Sequence, residues 1–375
     1  MAYTRRLPNW DYSRPWIYEV NLELGNRESR ALGEIVVDNV GADGVPTAAH
    51  CKLTPLGERV KECWFQIEKF YPQCQVLAEQ VMPEHFHGII RVKERLPKHL
   101  GQVLNGFKIG CNKAARELRP DVLSTGAVPQ HTRHHGAGGG LWAEGYCDKP
   151  VLRRGQLNTQ FEYVRNNPLR RAIKAAAPDL FRRYGGIEWL GMHFEALGNH
   201  WLLERPMHQV QCSRAWCKVA RERNARGDLV PVREQGGNFK LAATTPEFTE
   251  RLEAALGAGE EGAAIISPCL SEGERYICNA AYAAGYPVIT LKNIGFDRYE
   301  KPMGKLFDRC AQGKLLYLSP IKWPYQSAAK ALTREDSLAL NRIAQILAGD
   351  GSCEINYKGV IPEKIDEYVK EITRE

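Results

Sequence analysis

Between residues 261 and 320 short apolar strands alternate with amphipathic helices, and this rhythm restricts the fold more than any other feature of the chain. "AAIISP", "YPVITLKN" and "KLLYLSP" read as strands, with "SEGERYICNAAYAAG" and "KPMGKLFDRCAQG" as the helices between them. A helical crossover returns the chain to the same end of a sheet, so such strands run parallel and need both faces covered. Residues 1–200 follow a different order. "RPWIYEVNLEL" and "LGEIVVDNV" alternate as strands, and "TPLGERVKECWFQIEKFYP" has helical spacing with Thr54 as its N-cap. "CQVLAEQVMP" and "FHGIIRVKE" read as two more strands, and "LGQVLNGFKIGCNKAAREL" as an amphipathic helix. In "LNTQFEYVRNNPLRRAIK" a proline within the helical pattern ends or kinks the helix at Asn167. "ARERNARGDLVPVREQGGNF" is polar and irregular, a connector. The expectation is a domain over 1–200, a linking segment over 201–258, a smaller α/β domain over 259–350 and a tail over 351–375.

With 43% hydrophobic and 25% charged residues, the composition excludes a disordered or fibrous chain. The longest apolar runs, such as "AAII" and "LLYL", are too short to cross a bilayer, and the N-terminus lacks the apolar core of a signal peptide. A cytoplasmic protein without membrane partners is expected. Its eleven cysteines include no C-x-x-C pair, which argues for reduced thiols, and the Cys212/Cys217 spacing is wrong for a zinc knuckle. Net charge is +7, and residues 149–183 hold nine basic side chains against two acidic ones. That density suits a polyanion, since each neutralised phosphate releases counterions, but it also describes a solvated basic helix face.

"VMPEHFHGIIRV" contains the motif that bears on chemistry. In a strand, residues i and i+2 share a face, so His85 and His87 point one way and Phe86 the other, toward a core. Two imidazoles on a sheet face can begin a divalent-metal site, although the motif alone is more often structural. A second group, His131, His134 and His135, lies in a glycine-rich stretch that reads as a loop rather than a second metal site.

The order of elements with "MPEHFHGII" and "YVRNNPLRRA" resembles the single-tyrosine HUH transposases, in particular the REP-associated tyrosine transposases. The family's usual blocks are M-P-N-H-x-H-G-I-I and Y-I-x-x-N-P-x-R-A, and the resemblance runs from about residue 14 to 175, with more in "ALGNHWLLERP". It implies an α+β fold, a ferredoxin- or RRM-like antiparallel sheet with helices on one face. It also implies Tyr163 as nucleophile, with His85, His87 and Asn167 holding Mg²⁺ or Mn²⁺. Tyr163 and Asn167 are four residues apart, about one helical turn, so both can face one site. Lys108, in "FKIG", matches the family's F-K-S helix and is a candidate phosphate contact. Arg153, Arg154, Arg165, Arg170 and Arg171 give a basic surface for DNA. Trp142 and Asp148 match the family's W…D segment, Trp142 being read as core. Glu84 departs from the family, standing where asparagine is usual. The implied partners are single-stranded, hairpin-bearing DNA and a second copy of the chain.

Residues 261–325 resemble part of a Rossmann-like domain related to DNA-processing protein A, although no G-x-G-x-x-G fingerprint is present. The leading expectation is a metal-dependent single-strand DNA endonuclease and strand-transferase. The alternatives are a catalytically decayed, DNA-binding regulatory module on the same fold, and a metal-dependent nucleotide enzyme centred on the second domain.

Overall fold

The computed structural model describes residues 7, 9–42, 44–123, 140–152, 155–223, 227–234, 237–298, 300–323, 332–349 and 353–374. The chain divides into two compact units, Met1–Ala176 and Ala177–Glu375.

In the first unit, β1 (Trp16–Glu23) is followed by the hairpin β2 (Gly33–Val40) and β3 (Pro46–Leu53), then α1 (Pro55–Phe65) and the short α2 (Ile67–Phe70). Next come β4 (Cys74–Met82), β5 (His85–Val92), α3 (Leu100–Leu118), β6 (Cys147–Pro150), α4 (Gln156–Arg165) and α5 (Asn167–Ala176). The main sheet has the order β4-β5-β1-β6, with every pairing antiparallel. Thr54 caps α1 as expected, its hydroxyl accepting the Gly57 N–H at 3.1 Å.

The two faces of this sheet differ in chemistry because strand side chains alternate. Tyr18, Val20 and Leu22 of β1 and Phe86 and Ile90 of β5 are fully buried in a core shared with α1 and α3. Trp64 of α1 and Phe107 of α3 close on Phe86, with ring centroids 4.9 and 5.2 Å away. Gly88 follows the His pair because the Trp64 ring lies against it, leaving no room for a Cβ. Trp142 is buried in the same core, stacked on Phe107. The opposite face carries Glu19, Asn21, His85 and His87, and α4 lies over it. Helices on a single face, as expected, is therefore incorrect: the polar face needs its own cover.

The second unit contains β7 (Arg183–Trp189), β8 (Met192–Gly198), β9 (Met207–Gln209), β10 (Cys217–Val219), β11 (Arg221–Arg223), β12 (Leu229–Pro231) and β13 (Leu241–Thr244). It continues with α6 (Pro246–Glu260), β14 (Ala264–Ser267), α7 (Glu272–Ala283), β15 (Val288–Leu291), α8 (Lys305–Ala311), β16 (Leu315–Pro320), α9 (Arg334–Ala348) and α10 (Pro362–Thr373). Its six-stranded sheet has the order β7-β8-β16-β15-β14-β9. β9, β14, β15 and β16 are parallel, as the alternation with helices requires, and β8 pairs antiparallel with β16.

This sheet corrects the expected boundaries. β7 and β8, assigned to the first domain by the 1–200 limit, form a hairpin whose Phe194 and Ala196 are buried and whose β8 joins β16. Its two-residue turn has Leu190 at φ 52° and Gly191 at φ 73°, the left-handed pair a type I′ turn demands. Segment 201–258 is no linker, because it supplies β9 to the sheet and α6 to the core with α7. The presumed tail contains α10, which buries Ile365, Val369 and Ile372. The second unit is accordingly not the smaller one. No helix among the described residues is long and apolar enough to cross a membrane.

Candidate active site on the polar face of the first sheet

His85 and His87 share the polar face as strand parity requires, their ring centroids 4.9 Å apart. Asn21 of β1 and Gln80 of β4 stand opposite His87 in register. His87 is buried, 5% exposed, and its Nδ1 has no hydrogen-bond partner among the described residues. Burial, then the neighbouring His85 and Lys149, pushes its pKa down to about 3, so the imidazole is neutral.

Tyr163 reaches the same face from α4, its ring 5.7 Å from that of His87 in an edge-on arrangement. The Arg170 guanidinium lies over the Tyr163 ring, 5.2 Å from its centroid. Burial, and next the Glu19 carboxylate, raises the phenol above its ordinary value, while Arg170 and Lys149 oppose the rise. One turn before Tyr163, Gln160 Nε2 donates to Glu19 Oε2 at 3.0 Å, tying α4 to β1. Glu19 and Lys149 are register partners on β1 and β6, and burial raises the Glu19 carboxyl.

Pro168 breaks the helical run near the expected point. α4 ends at Arg165 and α5 begins at Asn167, with Pro168 in the first turn of α5, where a missing N–H is tolerated. Tyr163 and Asn167 thus sit on two helices meeting at Asn166, not on one turn of a single helix. The backbone stays near-helical across the junction: Asn166 N–H bonds Glu162 O, and Arg170 N–H bonds Asn166 O, both at 2.9 Å. Asn167 is buried, 8% exposed, and its Nδ2 has no protein partner among the described residues.

A divalent cation is compatible with these side chains. Among the described residues no three His, Cys, Asp or Glu side chains converge on one point. A three-ligand site on this face would therefore need a donor of another type, for which a carboxamide oxygen such as that of Asn167 is chemically suitable. A neutral, buried imidazole with an unpartnered ring nitrogen has a lone pair to give. Two imidazoles and one carboxamide oxygen are richer in nitrogen than Mg²⁺ ordinarily takes, so Mn²⁺ suits the set better.

Glu84, the departure from the family pattern, is buried in the turn between β4 and β5. Its Oε1 lies 3.6 Å from both His85 Nδ1 and Arg171 Nη1. His85, and after it Arg171, holds the carboxyl below its usual range against the effect of burial. Arg171, although exposed, thereby also compensates the Glu84 charge. Removing the cation would leave a buried carboxylate under-compensated. Arg171→Ala is expected to lower stability by about 1–3 kcal/mol, most of it recovered when Glu84→Gln is added. Thermal unfolding of the two single variants and the double variant checks this, and equal losses in Arg171→Ala and the double would refute the coupling.

The remaining expected DNA contacts divide. Arg165, at the end of α4, is exposed, and Arg170 faces Tyr163. Lys108 is on α3, the helix covering the opposite, apolar face, where its ammonium donates to Gly145 O at 2.8 Å and lies 5.2 Å from the Tyr146 ring. Arg153, Arg154, His131, His134 and His135 lie outside the described residues. Glu19, Gln160 and Lys149 escaped the sequence reading, although inward-facing Tyr18, Val20 and Leu22 already place Glu19 on the His face by parity.

No protein-family model matches the chain. An uncharacterized protein of Haemophilus influenzae is 23% identical over 184 residues, spanning 44% of this chain and 86% of that protein. A solved structure of a REP-associated tyrosine transposase bound to a REP hairpin aligns with 13% identity and a TM-score of 0.30, over 44% of this chain and 74% of that one.

Proposed function

We propose that the first unit is a metal-dependent single-strand DNA endonuclease and strand-transferase acting on hairpin-bearing DNA as a homodimer. The observation behind this reading is the placement of Tyr163 against His87, on a sheet face that also carries Glu19 and Asn21. His85, His87 and the Asn167 carboxamide oxygen would hold a divalent cation, which would supply polarisation of the phosphodiester and offset charge developing on it. Tyr163 Oη attacks the phosphorus, the bond to the 3′ oxygen breaks, and the products are a 5′-phosphotyrosine and a free 3′-hydroxyl. Attack by a second 3′-hydroxyl reverses the step and joins strands. Arg170 and Lys149, the cations nearest the phenol, favour the phenolate that this attack requires. The Gln160–Glu19 hydrogen bond holds the tyrosine-bearing helix in place over the sheet.

Incubating the full chain with labelled hairpin single-stranded DNA and Mn²⁺ is expected to give a covalent adduct that survives denaturation. The adduct should map to Tyr163 and disappear on chelation. Hairpin binding without an adduct at any Mn²⁺ or Mg²⁺ concentration would instead identify a DNA-binding regulatory module.

A further inference from the structure

Helices α1 and α3 pack together on the apolar side of the first sheet, and each brings a cysteine to the contact. Cys63 of α1 is half-buried, and Cys111 of α3 is fully buried. The two thiols are hydrogen-bonded, Cys111 donating to Cys63. Gly110 permits this approach, because a Cβ there would stand only 3.1 Å from the Cys63 sulfur.

The two thiols differ in the way that a redox pair requires. The Cys111 hydrogen bond, and after it the Arg59 guanidinium one turn earlier on α1, brings the Cys63 thiol down to about 7. Burial and the Glu62 carboxylate oppose that fall. Burial, and next Cys63, raises Cys111 well above the ordinary range, so it stays protonated as the second partner. Cys51, partly exposed like Cys63, is pushed up to about 11 by burial and then by Glu84 and Glu34. At neutral pH Cys63 is thus about half thiolate, the form that reacts, whereas Cys51 is almost wholly thiol. A second thiol contact, Cys269 with Cys278, lies in the other unit. There the Glu274 carboxylate opposes a thiolate, where Arg59 favours one at Cys63.

We infer that Cys63 and Cys111 form a reversible, peroxide-driven disulfide that fastens α1 to α3. The Cys63 thiolate attacks one oxygen of hydrogen peroxide. An S–O bond forms, the O–O bond breaks, and the leaving oxygen takes a proton and departs as water. The Cys111 sulfur then attacks the Cys63 sulfur, forming the S–S bond, while the sulfenic oxygen leaves as water with the Cys111 proton. Two thiols lose two electrons, and one peroxide becomes two waters. Both residues lie on the side of the sheet away from His85 and His87, so the inference does not depend on the nuclease reading.

Oxidising the full chain with stoichiometric hydrogen peroxide, blocking free thiols under denaturing conditions and mapping peptides by mass spectrometry tests it. A Cys63–Cys111 linked peptide, reversed by dithiothreitol, is expected. In the native, reduced chain at neutral pH, Cys63 should be alkylated at least about tenfold faster than Cys51. Cys111→Ala should leave Cys63 as a sulfenic acid that dimedone traps, whereas Cys63→Ser should leave Cys111 reduced. A pair of thiols that merely pack together would give no linked peptide and would label Cys63 no faster than Cys51. Either result would overturn the inference. So would a Cys269–Cys278 link formed in place of this one, or oxidation of Cys111 that persists in Cys63→Ser.

Discussion

Tyr163→Phe is expected to abolish the proposed covalent capture of hairpin DNA, by a factor of at least about 10³, while leaving thermal stability and hairpin affinity close to those of the parent chain. The size follows from chemistry: without the phenolic oxygen no phosphotyrosine forms, and water is the only remaining nucleophile. The specificity follows from geometry. The ring of residue 163 packs edge-on against His87 and beneath the Arg170 guanidinium, and phenylalanine reproduces both contacts. The Gln160–Glu19 bond that anchors α4 is untouched. Binding and catalysis therefore separate in this variant. Retained adduct formation would move the nucleophile elsewhere, whereas joint loss of adduct and folding would make Tyr163 a packing residue. Denaturing electrophoresis of the labelled adduct, beside a melting curve and a filter-binding isotherm, distinguishes the three outcomes.

How far these features can be read from sequence depends on how local their causes are. Helix α3 has the expected bounds, Leu100 to Leu118, because its apolar stripe is self-contained. The orientation of His85 and His87 also follows from strand parity alone. The β7–β8 hairpin was misassigned because its membership in the second unit depends on pairing between Phe194 and Pro320, more than a hundred residues apart, which no short window displays. β3 escaped notice because its hairpin is mostly exposed, so "PTAAHCKL" lacks the alternation that burial imposes. α10 is different: Ile365, Val369 and Ile372 have helical spacing that was legible but read as a tail. In the candidate site, the sequence shows Glu84 only as a departure from the family pattern beside the His pair. Its local compensation by Arg171 is a tertiary contact invisible in the sequence. Lys108 shows the reverse limit, since a family-like motif put it near DNA whereas the sheet separates its helix from the His face.

Trp64→Ala has the largest expected effect on folding of the first unit, about 3–5 kcal/mol. Trp64 is fully buried, its ring centroid 4.9 Å from Phe86 and 5.3 Å from Phe107, and it lies flush against Gly88. It therefore ties α1 and α3 to the strand that presents His85 and His87 on its far side. A melting curve alone does not say which of the two compact units has opened, because one can open while the other stays folded. Hydrogen exchange read on peptides covering residues 85–92 isolates the effect. If β5 exchanges through opening of the first unit, the loss corresponds to about 10²- to 10⁴-fold faster exchange there, with peptides from β14 and β15 unchanged. Trp64→Phe keeps an aromatic ring in the cluster and should recover part of the loss. Unchanged protection of β5 in Trp64→Ala would mean that the His-bearing strand is held by its neighbours β1 and β4 alone, and that the apolar face does not set the geometry of the polar one.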